Sequence, residues 1–151
     1  MGFDMDIRWK QRFQNFGRAF TLLRSALESE DIENYSDLEL EGIIQRFEYT
    51  FELVWKTFKD YLEYSGIETG EASPRNIIKK CATANIFDEA EIDPQIFIDM
   101  MVSRNKLSHT YDFETFKQEL DKIKRIYLSE LENAYLFFIK KELDESAGLG
   151  A

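Results

Sequence analysis

Residues 104–111 read RNKLSHTY and contain the chain's one histidine. Arginine, asparagine, serine, histidine and tyrosine crowd into this short stretch. A guanidinium can clamp a phosphate or pair with a carboxylate. An imidazole can move protons near neutral pH or cap the negative end of a helix. The segment is therefore either the working part of the molecule or the incidental end of a core helix. Spacing alone favours the second, with His109 as a helix-end cation and Arg104 in a structural ion pair. The density of polar groups favours the first.

The residues just before it, IFIDMMV (96–102), decide how such groups would be presented. At about 100° per residue, Ile96, Phe97, Met100 and Leu107 share one side of a helix, and Ile98 and Val102 take the opposite side. A helix that is apolar on both sides is covered on both sides. In a bundle one side is core, so the other predicts a partner surface, for which a second copy of the chain is a candidate. On the same wheel Asn105 and His109 continue the Ile98/Val102 side as an i,i+4 pair. Arg104, Ser108 and Tyr111 form a second polar stripe, with Tyr111 about 20° from Arg104.

The elements that must position this helix are legible from their periodicity. Trp9, Phe13, Phe16, Phe20, Leu23 and Leu27 are spaced 4, 3, 4, 3, 4, one apolar seam that ends in the polar run ESEDIEN (28–34). Ser36 and Glu39 form a capping box that opens a second helix, whose seam runs Leu40, Ile43, Phe47, Phe51, Val54, Phe58, Tyr61. Gly66 is its expected stop. Trp55, beside that seam, is expected in the core. Ser73-Pro74 and Asp93-Pro94 are two further starts, each an N-cap followed by proline. The first opens a short helix with Ile77, Ile78, Cys81 and Ala82 inward; the second opens the helix that runs into RNKLSHTY. A last long helix begins near Asp112, with Phe113, Phe116, Leu120, Ile123, Tyr127, Leu131, Ala134 and Phe138 on one side. The reading is all-α: an up-and-down four-helix bundle with one additional short helix. It forms a single domain over residues 1–145, followed by an unstructured tail at 146–151.

Composition supports a folded core and narrows the chemistry. The 151 residues include thirteen Phe, seven Tyr and two Trp, against seven Gly and two Pro. Cys81 stands alone, which rules out an internal disulfide and suits a cytoplasmic protein. No apolar run approaches the ~20 residues of a membrane span, and the first residues, MGFDMDIRWK, carry no signal-peptide pattern. The net charge of −10 speaks against DNA and against general RNA binding, so any RNA contact would be local. Asp4 and Asp6 have a metal-binding spacing without the Gly-Ser turn and strand of a nucleotidyltransferase. One His and one Cys do not make a zinc site, and no Glu-x-x-His pair offers a di-iron site. No metal and no cofactor are expected.

RNKLSHTY resembles the signature of HEPN domains, small helical bundles whose ribonuclease members carry Arg, a polar residue and then His. Arg104, Asn105 and His109 match those positions. Tyr111 is similar to the tyrosine of the branch encoded beside minimal nucleotidyltransferases. The aromatic second helix, FEYTFELVWKTFKDYLEYSG (47–66), looks like that of the same branch, the group called nucleotidyltransferase substrate-binding proteins. The resemblance covers nearly the whole chain. It implies a homodimer in which two motifs meet, and a metal-independent RNase toxin partnered by a minimal nucleotidyltransferase. By the same resemblance Arg104 would hold the phosphate, His109 would act as general acid/base and Asn105 would stabilise developing charge; Ser108, on the Arg104 stripe, is a further candidate for substrate binding. Tyr111 would receive AMP from the partner, which would silence the toxin. Two alternatives stand beside this one. The cluster would be the nucleotide or acceptor pocket of a non-catalytic, substrate-binding subunit, or it would only fix the interface of a structural dimerisation module.

Overall fold

The computed structural model describes residues 2–150, so Met1 and Ala151 lie outside the described part of the expected domain and tail. Its helices are α1 (Gly2–Glu28), α2 (Asp37–Tyr64), α3 (Pro74–Thr83), α4 (Ile86–Glu89), α5 (Pro94–Ser108), α6 (Phe113–Lys122) and α7 (Leu128–Gly150). A 3₁₀ turn, Ile32–Asn34, links α1 to α2, and a π turn, Ile123–Tyr127, joins α6 to α7 without a break. The four long rods are α1, α2, α5 and the α6–α7 unit. The expected short helix is α3, and the single turn α4 is an addition to the sequence reading.

Local signals begin and end these helices as their chemistry requires. Ser36 accepts from the Glu39 amide while the Glu39 carboxylate accepts from the Ser36 amide, a reciprocal capping box. Gly66 takes φ +81, which an L side chain resists, and two bonds close the end: Ile67 N–H to Leu62 O at 3.0 Å and Gly66 N–H to Glu63 O at 3.0 Å. Ser73 and Asp93 cap α3 and α5, each ahead of a proline. Helix α7 continues to Gly150, through the stretch read as an unstructured tail, with Ser146, Ala147 and Gly148 exposed there.

Side-chain pairings fix the directions. Arg8 meets Glu63, Arg12 meets Asp60 and Arg46 meets the Leu22 carbonyl, so α1 and α2 are antiparallel. Arg104 meets Glu52 and Ser108 meets Glu48, so α5 is antiparallel to α2. Arg24 meets Glu132 and Lys10 meets Glu145, so α7 closes the bundle antiparallel to α1. The up-and-down order holds.

Every residue of the α1 seam is buried, as are the α2 seam residues other than the half-buried Tyr61. Trp55 is core as well. Aromatic rings dominate one end, where Phe58 packs on Phe138 at 4.7 Å and edge-on to Phe87 at 5.1 Å between centroids. Along α6–α7 the buried positions Ile123 and Tyr127 fall in the π turn. Its extra residue rotates the helix there and leaves Tyr127 aimed at α5. No helix is long and apolar enough to cross a membrane among the described residues.

Candidate functional site

Helix α5 presents three different faces, and the polar residues at its end are divided among them. The inward face buries Phe97, Met100 and Leu107. Ser103, one step round, is also buried, against α6 and the π turn. Its hydroxyl donates to Glu119 Oε2 at 2.8 Å and lies 2.8 Å from the Tyr127 hydroxyl. A hydroxyl has one proton to give, so Tyr127 donates to Ser103 and Ser103 to Glu119. The other Glu119 oxygen takes Lys106 at 3.2 Å and Lys122 at 3.3 Å. Burial works to raise the Glu119 carboxyl, and the bonds from Ser103, Lys106 and Lys122 outweigh it, leaving it below the ordinary glutamate range. Burial lifts the Tyr127 hydroxyl above the usual tyrosine value, which keeps the donating proton in place.

The second face looks at α2. Arg104 Nη2 lies 3.4 Å from Glu52 Oε2, which also accepts from Trp55 Nε1 at 3.0 Å; Lys56 holds the other oxygen at 3.0 Å. Burial opposes the charge on Glu52, but the bonds from Trp55 and Lys56 and the charges of Lys56 and Arg104 win, and its carboxyl lies below the ordinary value. One turn on, Ser108 Oγ donates to Glu48 Oε2 at 2.6 Å and lies 3.1 Å from the Arg104 carbonyl. Two i,i+4 pairs, Arg104/Ser108 and Glu52/Glu48, therefore face each other across the helix contact. The pairing engages one corner of the guanidinium. Arg104 Nε is buried with no hydrogen-bond partner among the described residues.

The third face is open. Val102 is 52% exposed, Ile98 is half-buried, and Asn105 and His109 carry on the same stripe, both exposed. His109 is the C-cap of α5, its backbone N–H bonded to Lys106 O at 3.2 Å. Tyr111 is not on the helix. Helix α5 ends at Ser108, and Tyr111 stands 90% exposed in the connector to Asp112, the N-cap of α6. The wheel position beside Arg104 was an extrapolation past a helix end, and the cap at His109 corrects it.

Of the residues singled out from sequence, then, Arg104 and Ser108 are brought together against α2, and Asn105, His109 and Tyr111 stand in solvent. Glu48, Glu52, Ser103, Glu119 and Tyr127 escaped the sequence reading as site residues. For Tyr127 a signal was present: the last seam is spaced 4, 3, 4, 4, 3, 4 from Phe116 or its neighbours onward, and the doubled four centres on Tyr127, as an inserted residue would make it. The glutamates had none, because surface and buried carboxylates look alike in a single sequence.

An antiparallel bundle of four long helices, with an Arg-Asn…His ladder at the free end of the third, has a HEPN-like fold. The chain belongs to the family described as nucleotidyltransferase substrate binding protein like, whose model matches residues 11–139. A crystal structure of a protein from Thermus thermophilus is similar, at 28% identity and a TM-score of 0.65, covering 79% of this chain and 94% of that one. No curated protein matches.

Proposed function

We propose that this chain is the protein partner of a nucleotidyltransferase and that two copies of it form a metal-independent ribonuclease, silenced by AMP transfer to Tyr111. The observation that carries this reading is the open stripe on α5: Val102, Asn105 and His109 face solvent together. A second α5 laid across Val102 would bury the apolar side chain and set two His109 imidazoles about one two-fold axis. Two imidazoles can divide the proton transfers of RNA cleavage between them. One imidazole takes the proton from a ribose 2′-hydroxyl as its oxygen bonds to phosphorus; the other protonates the 5′-oxygen as its bond to phosphorus breaks. Arg104, whose side chain is 31% exposed, holds the phosphate, and Asn105 steadies the charge that develops. The 5′ product carries a 2′,3′-cyclic phosphate.

The test is cleavage of RNA in the presence of EDTA, with the ends analysed. Cyclic phosphate ends are expected, with activity falling about 10²–10⁴-fold in His109→Ala. Cleavage untouched by His109→Ala contradicts the mechanism. Light scattering at micromolar concentration should give a dimer mass, and Val102→Glu a monomer; a wild-type monomer contradicts the composite site.

A second reading has its own observation. Glu48 and Glu52 stand beside Arg104 in a chain of net charge −10, surroundings that repel a polyanion. In that reading the cluster binds a nucleotide or acceptor for the transferase and cleaves nothing. Nucleotide binding abolished by Arg104→Ala, without RNA cleavage, selects it.

A further inference from the structure

We infer a second, separate binding site, for a phosphate-bearing nucleotide, in the pocket between α1 and α2 lined by Arg18, Leu22, Arg46 and Tyr49. It lies outside the α5 cluster and does not rest on the ribonuclease reading. The pocket holds about 320 Å³, and Asn15 and Ala19 complete its lining. That volume is at the small end of the range for ligand sites, the size of one nucleotide rather than a strand.

The charge of the pocket is what sets it apart. Of the eight arginines, Arg8, Arg12, Arg24, Arg104 and Arg125 hold carboxylates. Two of the remaining three, Arg18 and Arg46, meet here. Each is oriented by a neutral acceptor: Arg18 donates to the Asn15 side-chain oxygen, and Arg46 Nη1 donates to the Leu22 carbonyl at 3.1 Å. Each exposed guanidinium is thus oriented without its charge being neutralised, and no carboxylate lines the pocket among the described residues. In a protein with ten more acidic than basic residues, two preoriented and uncompensated guanidinium groups on facing helices mark a place for an anion.

The neighbouring side chains define the rest of the ligand. Tyr49 is 62% exposed beside Arg46 on α2, and Leu22 is 53% exposed beside Arg18 on α1. An exposed tyrosine beside a phosphate clamp is a platform for a planar base. Helical spacing puts them in register: Arg46 and Tyr49 are three apart on α2, and Arg18 and Leu22 four apart on α1. The adjoining cleft toward α7, about 660 Å³, shares Arg18 and Leu22 and is lined by Phe13, Tyr135 and Ile139. Its lining is mainly apolar, and Glu142 stands at it together with Arg18.

The phosphate and base could belong to a free nucleotide or to one residue of an RNA strand, and titration distinguishes them. AMP and ATP are titrated by calorimetry, and a labelled oligoadenylate by anisotropy, into the full chain. Saturable binding of the mononucleotides indicates a free nucleotide; saturable binding of the oligonucleotide alone indicates a strand. Either supports the site if Arg18→Ala with Arg46→Ala weakens it at least about tenfold and Tyr49→Ala by a similar factor. Arg75→Ala, which removes the third uncompensated arginine, should leave binding unchanged, and circular dichroism should show all variants folded. No saturable binding of either probe at millimolar concentration overturns the inference. So does binding that survives the double variant, and loss with Arg104→Ala alone would assign the nucleotide to the α5 cluster instead.

Discussion

Two carboxylates are almost wholly buried among the described residues, Glu119 at 1% exposure and Asp60 at 2%, and they behave in opposite ways. Glu119 has three donors, Ser103, Lys106 and Lys122, and its carboxyl sits below the ordinary range. Asp60 has Arg12 at 3.1 Å on one oxygen, while Lys59 reaches the other only at 4.0 Å and that oxygen accepts no hydrogen bond. Burial dominates there and raises the carboxyl above the usual aspartate value, against the pull of Arg12. Burial penalises both charges equally in kind. Asp60 is the more strongly desolvated and has Glu63 nearby, and fewer hydrogen bonds reach its charged form; together these decide the sign. The difference has a place in the fold. Glu119 clamps the end of α5 that carries Arg104 and His109, whereas Asp60 sits on the α1–α2 contact far along α2 from Glu48 and Glu52.

Core truncation sets the scale for breaking this comparison. Phe51→Ala, a fully buried ring lost from α2, should cost about 3–5 kcal/mol in urea melts. Glu119→Ala comes next, at about 2–3 kcal/mol, because Ser103 loses its acceptor in a dry site while the two lysines, both half exposed, recover water. Glu119→Gln keeps an acceptor for Ser103 and should cost about 1 kcal/mol. Asp60→Asn should be smallest, within about 0.5 kcal/mol of wild type, since the charge it removes is one the fold does not favour and the Arg12 left behind is partly exposed to water. A larger loss for Asp60→Asn than for Glu119→Gln would invert the comparison and defeat it.

Acid should separate the two carboxylates by sign. The folded Glu119 value is depressed, so its contribution is fully present above about pH 4.5 and is lost as pH falls through the lower folded value. The gap in stability between wild type and Glu119→Gln should therefore shrink with acid. The folded Asp60 value is raised above 3.8, so the penalty on its charge is relieved as pH falls through that raised value. Wild type should gain on Asp60→Asn over the same descent. Urea melts of the three proteins between about pH 7 and 3 read both slopes, and parallel slopes would contradict the assignment.

The legible part of this molecule was its apolar periodicity and its caps. Seams spaced four and three gave α1 and α2, and the proline-led starts of α3 and α5 came from residues with one local use. The open Val102/His109 stripe was also legible, because a helical wheel needs only one helix. Two things were not. Which carboxylate meets which donor depends on how helices lie side by side, so Glu52 beside Arg104 and Glu119 beside Ser103 had no mark in one sequence. The position of Tyr111 failed for a different reason: the wheel was carried past Ser108, and the chain leaves the helix at His109.

That departure from the helix bears directly on the proposed switch. Tyr111 is free of the helix, exposed, and two residues from the only imidazole, which is where a modifying enzyme could reach it and where an added phosphate would crowd the proposed RNA site. Intact mass spectrometry after incubation with the partner nucleotidyltransferase, ATP and Mg²⁺ tests this most directly. The chain should gain the mass of one AMP per modified tyrosine, and Tyr111→Phe should gain none. An equal gain by Tyr111→Phe, or a label mapped to another residue, would contradict it.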